Sequence, residues 1–367
     1  MKVSVITLHH VRNYGSLLQT YATQKTLEAL GHEVEIVDFV PRGLTLRCGI
    51  ATIRSGGNPL ESAVRRCGAA LVFTVEQLSM MRFLRKYITL TSRTYHSFGE
   101  LTGEPPEADA YISGSDQVWN TQNANLPEDI CAYYLAYAPE GLPRIAYASS
   151  IGKDAFDSTE EADAVKAHLK RYTAIGVRES HAVELLESIG IDNAVHIPDP
   201  TMAHDAGFWR SFCGPRKHKE PYILVYNLNR NSGIKDYARR LSKEKELPVV
   251  NFAHTLDFIP GARNRIHSTA RDFINFLAYA EYVVTDSFHG TAFSINLGRP
   301  FVTFAAPRFN SRIESVLAHF GLSGRLLTET EAHLSVIDEP FDTDEIDRKL
   351  KAGREKSLKF LKTALGS

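Results

Sequence analysis

The sequence predicts an α/β protein built as two doubly wound, Rossmann-like halves. Three observations point there. Short apolar runs that read as buried strands alternate with segments that read as helices along nearly the whole chain. The alternation pauses at a polar stretch around Gly214-Pro215-Arg216-Lys217. Several strand ends carry small or polar residues, at the place where open α/β sheets bind ligands. At 367 residues the chain is long for one domain. Two are expected, residues 1–205 and 206–367, with a ligand in the cleft between them.

Val3 to Leu8 reads as the first strand. The following helix carries Leu17, Leu18, Tyr21, Ala22, Leu27 and Leu30 and closes at Gly31. Glu33 to Phe39 is the second strand and completes a βαβ unit. Its first turn holds Asn13, Gly15 and Ser16 rather than GxGxxG, which disfavours a dinucleotide. Gly15 permits close backbone approach to a ligand. Asn13, Ser16 and Gln19 offer the neutral hydrogen bonds that sugar hydroxyls use. The alternative is that Asn13 and Ser16 only cap the helix.

Residues 42–93 read as a helical insertion, with Glu61 to Phe73 and Val75 to Tyr87 as candidate helices. Arg65, Arg66, Arg82, Arg85 and Lys86 make it basic, as a solvated helix face would be. Ala108 to Ser113 is a strand leading into Gly114-Ser115-Asp116-Gln117-Val118-Trp119-Asn120. Trp119 could stack on a sugar ring, but core is the preferred reading. Arg144 to Ser149 and Thr173 to Val177 are the next strands, the second ending in Arg178-Glu179-Ser180. A guanidinium at such a turn suits a carboxylate or phosphate; alternatively Arg178 pairs with Glu179 or a nearby acid. Ala194 to Ile197 closes this half, followed by Pro198-Asp199-Pro200-Thr201.

In the second half Tyr222 to Tyr226, Val249 to Phe252, Tyr282 to Thr285 and Phe301 to Phe304 read as strands. Ile234 to Lys243, Ala270 to Tyr279 and Ile313 to Phe320 read as helices, and Asp344 to Leu365 as one long terminal helix. The centre of this half is Thr285-Asp286-Ser287-Phe288-His289-Gly290, between the strand and a helix over Thr291 to Leu297. Free N–H groups at that helix's start favour an anion. His289 beside them could donate a proton or bind an oxyanion. The plainer reading is that Asp286 or Ser287 caps the helix and His289 is a packed core histidine.

With 42 basic and 43 acidic residues the net charge is −1, so nothing in the charge balance suits a nucleic-acid partner. Cys48, Cys67, Cys131 and Cys213 share no CxxC spacing, which makes a zinc knot or redox motif unexpected. The first residues show no signal-peptide pattern, and no apolar stretch approaches the ~20 residues of a membrane span. A cytoplasmic protein is expected. His9-His10 is an adjacent pair that a strand would not readily turn onto one ion, so neither a metal nor a cofactor is expected.

Taken together, these stretches resemble the polysaccharide pyruvyl transferase family. The resemblance rests on Asn13-Tyr14-Gly15 with Leu18-Gln19, on Gly114 to Asn120, and on Ala146-Tyr147-Ala148-Ser149-Ser150-Ile151-Gly152. It extends to Val177-Arg178-Glu179-Ser180, Asp199-Pro200-Thr201 and Asp286 to Gly290. It implies a fold similar to GT-B glycosyltransferases, with an acceptor side in the first half and a donor-anion side in the second. The implied reaction moves the enolpyruvyl carbons of phosphoenolpyruvate onto hydroxyls of a sugar or lipid-linked glycan, often as a cyclic ketal. Arg178 would hold the donor, and His289 would be the acid or phosphate ligand. Asp116 or Asp286 is the candidate base, on position alone. Gly114 and Ser115 would join Asn13, Gly15, Ser16 and Gln19 on the acceptor side. Some members carry an arginine two residues before the histidine, where this chain has Ser287; Arg308 and Arg312 are the candidates to supply that charge. The alternatives are a GT-B-type enzyme using a nucleotide sugar and a catalytically inactive glycan-binding relative.

Overall fold

The computed structural model describes residues 1–41, 58–123, 128–252, 257–266, 268–305, 310–328 and 333–366. The chain forms two compact units. The first comprises Met1–Thr45, Arg82–His204 and Leu350–Ser367, the second Leu46–Met81 and Asp205–Lys349.

The first part of the chain contains β1 (Lys2–Ile6), α1 (Tyr14–Ala29), β2 (Glu33–Phe39), α2 (Pro59–Tyr87), β3 (Leu90–Tyr95), α3 (Phe98–Gly103) and β4 (Ala110–Ser113). Then come α4 (Asp129–Tyr133), β5 (Arg144–Ser149), α5 (Thr159–Leu169), β6 (Ala174–Val177), α6 (Ser180–Glu187) and β7 (Ala194–His196). The second part contains α7 (Ala206–Cys213), β8 (Ile223–Tyr226), α8 (Ser232–Lys245), β9 (Val249–Phe252), β10 (Arg263–Arg265), α9 (Ala270–Ala278) and β11 (Tyr282–Thr285). It ends with α10 (Phe288–Asn296), β12 (Phe301–Phe304), α11 (Ser311–Phe320), β13 (Leu326–Leu327) and α12 (Thr343–Leu365).

Unit 1 holds a seven-stranded sheet in the order β3-β2-β1-β4-β5-β6-β7, and unit 2 a six-stranded sheet in the order β10-β9-β8-β11-β12-β13. Every strand pair is parallel. Parallel strands covered by helices on both faces are largely apolar, and Ile223 to Tyr226, Val249 to Phe252 and Phe301 to Phe304 are buried at every position, with Asn251 and Thr303 as their polar members. In each sheet the chain winds outward one way from its first strand, then returns to that strand's other side. The reversal falls between β1 and β4 in unit 1 and between β8 and β11 in unit 2. Side chains just past the carboxyl ends of those four strands are where such sheets bind ligands.

Several elements depart from the sequence reading. The two helices expected in the insertion are one helix, α2, and the start of that insertion lies outside the described residues. The terminal helix was expected wholly within the second half. Its last part clusters with unit 1, where Leu361 is fully buried and Gly353 packs against the Pro198 ring. A side chain at Gly176 would meet Phe360, from the same helix, at 3.0 Å. Strand β3 was not foreseen: Leu90-Thr91-Ser92-Arg93-Thr94-Tyr95 lies at the sheet edge and has no apolar run.

Candidate active site

At the reversal point of unit 1, the polar turns converge into one buried network. Thr7 Oγ1, just past β1, donates to the Ser115 carbonyl at 2.7 Å, and Gly114 N donates to the Ile6 carbonyl at 2.8 Å. A side chain at Gly114 would sit 3.0 Å from Thr7 Cβ, so this closeness requires glycine. Ser16 Oγ, in the first turn of α1, donates to Asp116 Oδ2. Gln117 N donates to Asp116 Oδ1 at 2.9 Å. Asp116 takes a left-handed backbone, φ 74°, and is 6% exposed. A non-glycine residue held there marks strain that the surrounding contacts must enforce.

Arg178 extends the network. It is 4% exposed; its Nε donates to Glu179 Oε1 at 3.1 Å and its Nη1 to Asp199 Oδ2 at 3.0 Å. Its Nη2 lies 3.8 Å from Asp116 Oδ1. Burial alone would lower the guanidinium's pKa, but the charges of Glu179, Asp199 and Asp116 reverse this and raise it. Ser115 Oγ donates to the same Asp199 oxygen at 3.1 Å, and Thr201 holds the other through its N–H at 2.9 Å and its hydroxyl at 2.7 Å. One guanidinium thus serves three acids. That is the structural pairing that stood as the alternative to donor binding. A guanidinium already engaged by these acids suits the orientation of a carboxylate better than the capture of an anion.

The remaining acceptor-side residues take defined places. The Asn13 side chain accepts from Gly15 N at 2.8 Å and caps α1. Gln19 is fully buried, and its amide nitrogen donates to Thr7 Oγ1 at 2.9 Å and Thr20 Oγ1 at 3.1 Å, so it braces β1 against α1. Trp119 is core: it is 1% exposed, stacks on Tyr134 at 5.3 Å, and donates from Nε1 to the Tyr133 carbonyl at 3.3 Å.

At the reversal point of unit 2, α10 begins at Phe288, so His289 lies in its first turn rather than before it. Ser287 is the N-cap, accepting from Gly290 N at 3.3 Å. Gly290 presses on the preceding strand: a Cβ there would lie 2.5 Å from Thr285 Oγ1. His289 is 2% exposed, with its ring edge-on to Phe288 at 5.2 Å. Asp286 accepts from Leu228 N at 2.7 Å, Asn229 N at 2.9 Å and Asn229 Nδ2 at 2.9 Å. Burial raises its pKa against the pull of those donors. It clamps the loop after β8 to the end of β11. The Arg312 guanidinium lies 5.9 Å over the Phe288 ring, next to the Ser287 cap. Arg308 lies outside the described residues.

A second polar group in unit 1 escaped the sequence reading. Strand β1 ends at Ile6, so His9 and His10 follow it and are free of strand geometry. His9 Nε2 and His10 Nε2 lie 3.2 and 2.8 Å from the same oxygen of Asp38, at the end of β2. The expectation that the pair could not address one centre fails for this reason. Among the described residues, no helix is long and apolar enough to cross a membrane.

The family model for polysaccharide pyruvyl transferase matches residues 13–306. No curated protein matches the sequence. Among solved structures, the chain is similar to a putative UDP-N-acetylglucosamine 2-epimerase from Listeria monocytogenes, with TM-score 0.56, 13% identity, and coverage of 100% of this chain and 96% of that one. The S. aureus MnaA–UDP co-structure matches with TM-score 0.52, 14% identity, and coverage of 100% and 97%. The UDP-GlcNAc 2-epimerase from Neisseria meningitidis bound to UDP-GlcNAc gives TM-score 0.52, 10% identity, and coverage of 100% and 99%. These likenesses show the fold: two Rossmann-like units in a GT-B-like chain. The family model spans most of the sequence, and its motif turns form the networks at both reversal points; the chain belongs to the polysaccharide pyruvyl transferase family.

Proposed function

We propose that the protein transfers the pyruvyl group of phosphoenolpyruvate to hydroxyls of a glycan acceptor, giving a pyruvate ketal. Family membership supports the transferase class. The observation that carries the rest is the chemistry at the two reversal points. Unit 2 holds a buried imidazole in a helix's first turn, with Arg312 over the ring of the adjoining Phe288, which suits a phosphate and an enol. Unit 1 presents a strained, braced carboxylate, which suits a hydroxyl.

In this reading His289 protonates the methylene carbon of phosphoenolpyruvate or holds its phosphate, with Ser287 and Arg312 as donor ligands; Gly290, whose N–H is taken by the Ser287 cap, serves by keeping the turn tight against Thr285. Protonation makes the central carbon oxocarbenium-like. An acceptor hydroxyl attacks it while Asp116 takes the hydroxyl's proton, and phosphate then leaves. A second hydroxyl closes the ketal. Asn13, Gly15, Ser16, Gly114 and Ser115 shape the acceptor end. Arg178 is a positioning residue that holds Asp116 and Asp199, and Asp286 positions the loop after β8.

The test is acceptor-dependent phosphate release from phosphoenolpyruvate across a panel of lipid-linked and free glycans. His289→Gln should lower kcat by ~10²-fold or more if the ring is the acid. Absence of release with every acceptor, together with stabilisation by UDP- or GDP-sugars but not phosphoenolpyruvate, would overturn the reading.

A further inference from the structure

The group formed by His9, His10 and Asp38 takes no part in the reaction above, and its geometry is unusual for a hydrogen-bonded cluster. Strands β1 and β2 are parallel neighbours, so their carboxyl ends lie side by side. His9 Nδ1 lies 3.0 Å from the Thr7 carbonyl, which can only accept, so that nitrogen carries the proton. In the neutral ring Nε2 is then a lone pair. It faces Asp38 Oδ1 at 3.2 Å, and His10 Nε2 faces the same oxygen at 2.8 Å. At His9 a lone pair therefore faces a carboxylate oxygen, which requires either an extra proton on that ring or a cation between them, and His10 Nε2 can offer a lone pair to the same cation because either of its ring nitrogens can carry the proton.

Two features favour the cation. The donor atoms of all three residues lie within 4.8 Å of one another. Bonds of about 2.0–2.1 Å in a tetrahedron give edges of about 3.3 Å, against 3.2 and 2.8 Å for the two nitrogen-to-oxygen separations here. Each buried ligand also has an outer partner of the kind metal ligands carry. The Thr7 carbonyl fixes the His9 tautomer, and Thr94 Oγ1 donates to Asp38 Oδ2 at 2.5 Å. The His9 side chain is fully buried, whereas those of His10 and Asp38 are 12% and 13% exposed, which leaves an approach from solvent.

We propose that His9 Nε2, His10 Nε2 and Asp38 Oδ1 form a three-ligand site for a divalent transition metal of the Zn²⁺ type, with the remaining coordination position open to water or a hydroxyl. The site ties the loop after β1 to the end of β2. It stands independently of the pyruvyl-transfer reading.

The experiment uses the full chain without a histidine tag, stripped with EDTA and titrated with Zn²⁺ against a fluorescent chelator. Co²⁺ absorption reports the ligand geometry. One equivalent should bind, and His10→Gln and Asp38→Asn should each weaken binding by at least about 30-fold. Thr94→Ala, which removes only an outer partner, should weaken it by about 10-fold. Circular dichroism and melting curves confirm that each variant is folded; if Asp38→Asn is not, His10→Gln and Thr94→Ala decide the matter. Failure of the wild type to bind one equivalent would overturn the proposal. So would binding that His10→Gln and Thr94→Ala leave unchanged, because the metal would then sit on other histidines of the chain.

Discussion

Arg178 and Asp199 are joined at 3.0 Å, and the same Asp199 oxygen accepts from Ser115 at 3.1 Å. The turn after β6 is thereby tied through one carboxylate to the turn after β4. Replacing Arg178 by Met leaves Asp116, Glu179 and Asp199 buried without their shared cation, which should cost unit 1 ~3–5 kcal/mol. Arg178→Lys keeps the charge but not the planar fork and should fall in between. The sequence holds two tryptophans, Trp119 in unit 1 and Trp209 in unit 2. In a Trp209→Phe background the urea transition read from Trp119 isolates the effect. An unchanged midpoint for Arg178→Met would show that the guanidinium is not the cluster's counter-charge.

Asp116 is fixed by Ser16, Gln117 and Arg178, which suits a base whose direction matters. Asp116→Asn preserves the shape and removes the proton acceptor. Acceptor-dependent kcat should fall ~10²–10⁴-fold, and the acid limb of the kcat/KM profile should vanish. A profile that keeps its acid limb at reduced height assigns the base elsewhere.

Much of this was legible in the sequence, for a definite reason. Strands such as Val249–Phe252 and Tyr282–Thr285 are covered on both faces and so read as apolar runs with sharp ends. The turns that follow stand out by contrast. What one dimension hides is pairing between distant turns. Ser16 meets Asp116 across 100 residues and Ser115 meets Asp199 across 84, so the Arg178 cluster could be named only as an alternative. His9 and His10 looked like an idle pair because Asp38, 28 residues beyond His10, reads as an ordinary strand residue. An acid near the end of β2, the parallel neighbour of the strand that the histidines follow, was the available clue.

Arg312 sits over the Phe288 ring, one residue from the imidazole. If it supplies the charge that Ser287 lacks, Arg312→Gln should raise KM for phosphoenolpyruvate at least ~10-fold, with a smaller effect on KM for the glycan. Steady-state kinetics with each substrate varied in turn separates the two. Equal changes in both constants would point to a folding defect. No change would remove Arg312 from the donor site.

The close approach of Gly290 to Thr285 makes the most specific structural prediction. Thr285 Oγ1 donates to the Tyr226 carbonyl at 2.8 Å and accepts from Ser287 N at 3.0 Å, so it cannot swing away without releasing both β8 and the α10 cap. A methyl group at position 290 would lie 2.5 Å from that oxygen. Gly290→Ala should therefore destabilise unit 2 by ~1–3 kcal/mol and displace the first turn of α10, lowering kcat with it. Trp209 reads this directly, because its ring meets Phe293 of α10 at 4.9 Å. Thr285→Ala removes the obstructing oxygen, so adding Gly290→Ala in that background should cost much less than in the wild type. Thr285→Ser retains the oxygen and should give little relief. That difference between Ala and Ser isolates the Oγ1 contact, and the double-mutant coupling measures it. Equal penalties in all three backgrounds would mean that the glycine is needed for some other reason than its distance from Thr285.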